Sequence, residues 1–350
     1  MCDFLSSCKL EAMNLKTNYM GFQLDHPVIP GASPLCYEID LVQGLLDAGA
    51  PMIVLRSLFE EDIRINNFRN NGTNYKLPPH IASEPIIEPN DYLKRLTEIK
   101  QFAHVPIVAS INGSTPGGWV KYATQAIDAG ADAIELNIYR IASETDLTSE
   151  DIEAEDIQII SELSKRITVP LAVKISSNYS AISNYAEAIR EAGAQSLVIF
   201  NRFLQPNIDI EHRTLTYCLQ PSTPDELMLR LRWAAILSTH VPLPLAITGG
   251  IKTGEDVIKA VMSGATVCQV VTPLLEQGPT FLTQIVNQIQ QWCESHEIDS
   301  LDEIRGCMNL KHASDPRAYE RGNYLQMLKN AASQITYSGL PSKISSQPSQ

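Results

Sequence analysis

No run in this 350-residue chain stays apolar for the roughly 18 residues that a membrane span requires, so no transmembrane helix is expected. Positive charge is in deficit: 27 Lys and Arg face 40 Asp and Glu, for a formal net charge of -13. Binding phosphate backbones needs clustered cations, and no long basic block occurs, which excludes a nucleic-acid partner. The seven cysteines (Cys2, Cys8, Cys36, Cys218, Cys268, Cys293 and Cys307) include no C-x-x-C pair and no zinc-like Cys/His spacing. Scattered thiols in odd number read as reduced and cytoplasmic, without a disulfide framework or an iron-sulfur cluster. The seven histidines form no H-E-x-x-H, so no catalytic metal is expected. The first 20 residues lack a basic region followed by an apolar core, so they do not resemble a secretory signal and none is expected, and Met13 would serve as an alternative start.

The chain does contain a repeat at its helix-to-strand joints. Four amphipathic stretches end in a small-Gly-Ala triplet and run at once into apolar sequence: DAGAPMIVL, DAGADAIEL, EAGAQSLVI and MSGATVCQV, with Gly49, Gly130, Gly193 and Gly264. Glycine just past a last helical turn is the expected left-handed cap. Three further apolar runs enter through Val-Pro: HVPIVASI from His104, TVPLAVKI from Thr168 and HVPLPLAIT from His240. Proline there stops the helix and suits a strand entry. With PVIPGAS from Pro27 this makes eight strands, beginning near residues 27, 52, 106, 133, 170, 196, 244 and 267. Most intervening gaps hold one helical pattern, such as GWVKYATQAIDAGA. Near-continuous apolar strands alternating with helices predict a (β/α)8 TIM barrel, an α/β fold; no G-x-G-x-x-G follows the first strand to suggest an open nucleotide-binding sheet. Residues 59–89 and 203–223 exceed a minimal barrel and read as long functional loops after strands 2 and 6. The polar, Pro/Ser-rich end LPSKISSQPSQ is expected to be disordered.

Active sites of such barrels lie at the C-terminal ends of the strands. These ends carry Ala32 and Ser33, Arg56 and Ser57, Asn112, Asn137, Lys174, Asn201 and Arg202, then ITGGIKTGEDV and QVVTPLL. Gly249 and Gly250 after strand 7, with a small hydroxyl residue after strand 8, suit a phosphate held by backbone N–H groups. The bland alternative is a tight turn with Gly254 into a helix capped near Thr253. Lys174, inside PLAVKIS, would be expensive to bury unless it meets an anion at the mouth. It could hydrogen-bond the electron-rich edge of a cofactor, form a Schiff base with a carbonyl substrate, or simply pair with a carboxylate such as Glu135. Asn137 and Asn201 could read the donor and acceptor edges of a heterocycle, or cap loops.

MNLKTNYMGFQLDHPVIPGAS, LAVKIS, VIFNR and above all ITGGIKTGEDVIKAVMSGATVCQVVTPLLEQGP resemble the class 1 dihydroorotate dehydrogenases, FMN-containing (β/α)8 barrels. The resemblance covers roughly residues 13–327, leaving 1–12 as an N-terminal extension and 328–350 as the polar tail. It implies that Gly249, Gly250, Val271 and Thr272 hold the FMN phosphate and that Ala32 and Ser33 lie against the flavin. By the same resemblance Lys174 approaches the flavin ring, Asn137 and Asn201 serve cofactor and substrate, and Ser57 follows a lysine position here held by Arg56.

The family's Ser-Cys-Pro-Asn loop, whose Cys or Ser takes a proton from dihydroorotate, is replaced by ELNIYRIASETD. Arg140 stands at the base position, and a guanidinium cannot act as a general base. The Asn-rich substrate loop after strand 2 is replaced by PHIASEPIIEPND. Tyr139 or Ser143 would have to accept the proton, while Arg140 would suit a substrate carboxylate through a two-pronged hydrogen bond. The expectation is an FMN-dependent oxidoreductase with Lys174, Arg140 and Tyr139 as catalytic residues. It would act on dihydroorotate or a related small anionic substrate in pyrimidine metabolism, and pass electrons to a soluble acceptor or a partner subunit. The family's members are commonly homodimers or heterotetramers. The rivals are a Schiff-base aldolase or lyase using Lys174, and a flavoprotein without dihydroorotate activity that serves a binding role.

Overall fold

The computed structural model describes residues 13–63, 87–113, 119–202, 205–217, 220–320 and 324–334. Within them, eight strands alternate with helices. The order is β1 (Val28–Pro30), α1 (Ile39–Asp47), β2 (Ile53–Val54), α2 (Pro89–Lys100), β3 (Ile107–Asn112), α3 (Trp119–Asp128), β4 (Ala133–Asn137) and α4 (Ser149–Ser164). It continues with β5 (Leu171–Ile175), α5 (Ile182–Glu191), β6 (Ser196–Ile199), α6 (Pro224–His240), β7 (Leu245–Thr248), α7 (Gly254–Ser263), β8 (Val267–Val270), α8 (Thr272–Gln277) and α9 (Phe281–Ser295). Hydrogen bonding runs β1-β8-β7-β6-β5-β4-β3-β2, every pair parallel, and Leu58–Phe59 continues the β2 side against the end of β3. This is the (β/α)8 TIM barrel, with its seam between β1 and β2.

The repeated joints explain the closure. The prolines at the entries to β3, β5 and β7 donate nothing, yet their carbonyls accept from the preceding strand. Ile53 N–H meets Pro106 O at 3.1 Å, Ile134 N–H meets Pro170 O at 2.9 Å and Leu197 N–H meets Pro244 O at 3.1 Å. At the end of α7, Gly264 has φ +108, and a Cβ there would stand 2.2 Å from Ser238 Oγ on α6. Only glycine lets these two helices and β8 meet so closely.

Strand side chains alternate between two cores. One set faces the helices, for example Ile134, Leu136, Val173, Ile175, Ile247 and Cys268. The other set faces the lumen: Ile29, Val54, Val108, Ala133, Ala172, Val198, Ala246 and Val267. The lower lumen is filled by an N-terminal hairpin, Thr17–Tyr19 paired with Phe22–Leu24, through Tyr19, Met20 and Leu24. Each such fully buried apolar side chain stabilises by about 1.5–3 kcal/mol, which makes the plug a firm floor.

Most of the loop expected over residues 59–89 lies outside the described residues. The one expected over 203–223 contains a separate hairpin, Asn207–Asp209 with Thr214–Thr216, whose Ile208 and Leu215 face solvent as a cross-strand pair. A helix, Tyr324–Gln334, continues past the boundary expected at residue 327. Residues 335–350 lie outside the described residues. Among the described residues no helix is long and apolar enough to cross a membrane.

Candidate active site

Above the apolar floor the inward positions turn polar: Ser110 and Asn112 on β3, Glu135 and Asn137 on β4, Lys174 on β5, Thr248 on β7 and Gln269 on β8, all buried. The pairing register Asn112–Asn137–Lys174 places these three at one level. They open into a cavity of about 870 Å3 at the C-terminal ends of the strands, within the usual size range of ligand sites.

In the lumen wall Lys174 Nζ lies 3.4 Å from Glu135 Oε1 and 3.4 Å from Gln269 Oε1, while Gln269 Nε2 donates to Glu135 Oε2. A carboxylate and an amide thus offset the cost of burying an ammonium. Nearby, Asn201 Nδ2 donates to Asn137 Oδ1 and approaches Ile138 O at 3.4 Å. Ser57 Oγ is 2.8 Å from Ser110 Oγ. Arg56 adds cationic charge to the wall, and its charge acts on Asp62, whose carboxyl burial pushes up to about 6.

At the opposite end of the cavity Gly249 and Gly250 have φ +94 and +80. A Cβ on Gly249 would stand 2.8 Å from the Arg230 guanidinium, and one on Gly250 2.5 Å from Leu227 N. The sequence therefore needs both glycines for the loop to press against the start of α6. Arg230 is buried behind this loop, where it donates to Thr248 O and, at 3.4 Å, to Phe200 O, tying β6 and β7 to α6. Burial lowers its pKa, but a guanidinium stays charged. Thr272, which opens α8, lies 2.8 Å from Ser222 Oγ. Among the described residues, the backbone N–H groups of Gly249, Gly250 and Val271 donate to no protein acceptor.

Of the residues singled out from sequence, Ala32, Ser33, Arg56, Ser57, Asn137, Tyr139, Lys174, Asn201, Gly249, Gly250, Val271 and Thr272 all line this cavity. Arg140 does not. Its Nη1 forms a 2.6 Å ion pair with Glu155 of α4, so its guanidinium is held outside. Beside that pair, Asp156 is fully buried and accepts from Tyr179 Oη at 2.8 Å and Tyr185 Oη at 2.9 Å. Burial raises its carboxyl above the usual range. Cys36 offers no replacement base: its Sγ donates to Gly31 O at 3.3 Å, and burial pushes its thiol up to about 12.

The sequence reading missed Gln269, Ser110, Ser222 and Glu276. Gln269 and Ser110 shared the signal that exposed Lys174, a polar residue at an inward position of an apolar strand. Ser222 and Glu276 gave no such signal, because they reach the cavity from a loop and from α8.

These residues fit FMN. Unpartnered backbone N–H groups beside a glycine turn suit its phosphate, and buried amides with an ammonium suit the edges of its ring system. Residues 86–292 match the family described as Dihydroorotate dehydrogenase. The "Dihydroorotate dehydrogenase B (NAD(+)), catalytic subunit" of Methanothermobacter thermautotrophicus is 24% identical over 306 residues, covering 83% of this chain and 97% of that protein. The protein of that description from Shouchella clausii is 30% identical over 211 residues, 58% of this chain and 68% of the relative. The "NAD-dependent dihydropyrimidine dehydrogenase subunit PreA" of Escherichia coli K12 is 23% identical over 325 residues, 85% and 77% of the two chains. Fold, cavity and matches agree: the chain belongs to the dihydroorotate dehydrogenase family of FMN-type oxidoreductases.

Proposed function

We propose that this oxidoreductase acts on dihydroorotate or a related small anionic dihydropyrimidine. The observation that carries the reading is convergence on one cavity. A cation-lined wall with Lys174 and Arg56, two facing asparagines, and an N–H-rich glycine turn at the far end all open into it. FMN, when bound, supplies the acceptor for a hydride from a saturated C–C bond of the substrate.

The chain's own residues have the following proposed roles. Gly249, Gly250, Val271 and Thr272 hold the phosphate through backbone N–H groups, with the buried Arg230 charge behind them. Lys174 donates to the electron-rich edge of the ring and stabilises negative charge that develops there. Asn137 and Asn201 orient cofactor and substrate, while Ala32 and Ser33 form the wall against the ring. Ser57 completes the β2 side, and Arg56 meets the substrate's anionic group, for which a planar guanidinium is well shaped. Tyr139 is the candidate proton acceptor at Oη, a role that requires its phenol first to release its own proton to solvent, since it lines the cavity and Arg140 is engaged by Glu155. A Schiff-base role for Lys174 is disfavoured, because its Nζ is engaged by a carboxylate and an amide oxygen rather than free for attack. A soluble acceptor or a partner subunit would take the electrons, and all three relatives reported above are described as subunits.

The test is anaerobic mixing of the FMN-loaded chain with dihydroorotate, and separately with the neutral dihydrouracil and dihydrothymine. Bleaching of the flavin absorbance by dihydroorotate supports the reading. No bleaching by dihydroorotate at high concentration, or bleaching by the neutral dihydropyrimidines alone, removes the proposed substrate class.

A further inference from the structure

At the base of the cavity, three side chains from different strands close a ring of hydrogen bonds. Glu135 and Gln269 are each 1% exposed and lie above the floor formed by Tyr19, Met20 and Leu24. The amide orientation of Gln269 is set by Glu135. Because Nε2 donates to the carboxylate, Oε1 must face Lys174. An ammonium has three N–H bonds. Two meet Glu135 and Gln269 at 3.4 Å, and the third is left for the cavity that Lys174 lines.

A lysine has an unbranched stem with ample rotamer freedom, so a single contact would not aim it. A carboxylate alone would draw Nζ toward the floor. Gln269 opposes this in two ways: it occupies one oxygen of Glu135, and it offers Nζ a second acceptor from the opposite wall. We propose that Glu135 and Gln269 are positioning residues that hold Lys174 by two N–H bonds and aim the third at the occupant of the cavity. The identity of that occupant rests on the function proposed above, whereas the cradle does not.

The experiment uses the full-length chain, with and without added FMN. Labelling of Lys174 by an amine-acylating reagent is followed by mass spectrometry in wild type, Glu135→Gln, Gln269→Met and the exchange Glu135→Gln/Gln269→Glu. Without Glu135 the ammonium loses one of its two anchors and is freer to reach the reagent, so Glu135→Gln should label roughly tenfold faster, the worth of one charge-assisted hydrogen bond. Gln269→Met should label more slowly, because a carboxylate freed of its amide partner draws Nζ toward the floor, and the exchange variant should return toward wild type because it restores a carboxylate beside Nζ. Glu135→Asp keeps the charge but withdraws it by one methylene, and should fall between if the glutamine variant folds poorly. In the FMN-loaded protein the flavin midpoint potential should fall in both single variants and recover in the exchange.

Labelling within twofold of wild type in both single variants would overturn the cradle. So would altered labelling with an unmoved potential, which would leave only a structural ion pair. A chain that takes up no FMN would sink the cofactor reading, while the labelling comparison would still decide the cradle.

Discussion

Gly250→Ala tests the phosphate end of the cavity, and the structure supplies its own control. Gly250 sits at φ +80, and an added Cβ would lie 2.5 Å from Leu227 N and 2.9 Å from Thr223 O. Both atoms are backbone at the start of α6 and cannot rotate away. Gly21, in the N-terminal hairpin turn, sits at φ +82 with nothing within 4 Å of its Cβ position. The left-handed backbone costs any L-residue about 1–2 kcal/mol, and that part should be common to both substitutions. Overpacking adds about 1–3 kcal/mol at Gly250 alone. Gly250→Ala should therefore lose about 2–5 kcal/mol and Gly21→Ala about 1–2 kcal/mol in denaturant unfolding of the cofactor-free chain. To bring the 2.5 Å contact to an ordinary 3.4 Å, the turn must also retreat by nearly 1 Å. That would misplace N–H groups meant for a phosphate, so FMN affinity by fluorescence titration should fall by about tenfold, the worth of one charge-assisted hydrogen bond. Equal stability losses in the two variants, with unchanged FMN affinity, would refute the reasoning.

Three further outcomes follow from the site. Lys174→Ala should slow flavin reduction roughly a hundredfold in stopped flow while weakening FMN binding far less, and an unchanged rate would remove its assigned role. Arg140→Ala should leave FMN affinity within about twofold, since a partly exposed ion pair with Glu155 contributes about 1 kcal/mol or less and its guanidinium lies outside the cavity; a large loss would place it in the site. For Asp156 the folded-state pKa is raised by burial, so the folded chain binds this proton more tightly than the unfolded one and the group costs stability as pH rises through that raised value. The melting temperature of Asp156→Asn relative to wild type should accordingly improve as the pH rises above the ordinary carboxylate range, and a flat difference would contradict the sign.

The barrel was legible because its signals are local. Gly49, Gly130, Gly193 and Gly264 all adopt positive φ at helix ends, and the Val-Pro entries fall at β3, β5 and β7 as the spacing predicts. The polar strand ends were legible for the same reason, since an amide or ammonium inside an apolar run has few places to go. What stayed hidden depends on distant partners. Gln269 is 134 residues from Glu135, and nothing near VCQVV announces that contact. Arg230 went unremarked in RLRW, because its acceptors, Thr248 O and Phe200 O, lie on other elements of the barrel. Arg140 was expected beside the flavin. The second turn of α4 supplies Glu155, and that pairing turns the guanidinium away from the cavity. Among the described residues the hairpin inside 203–223 pairs only with itself, and it leaves no trace in the barrel's apolar pattern.

The central claim, an FMN oxidoreductase with its cofactor in this one cavity, is tested most directly by the absorbance spectrum of the purified chain after incubation with FMN and removal of the excess. The account predicts a yellow protein with flavin bands near one FMN per chain, reduced to background in a Gly249→Ala/Gly250→Ala variant. A wild-type chain that stays colourless, or a double variant that retains full FMN, would contradict it.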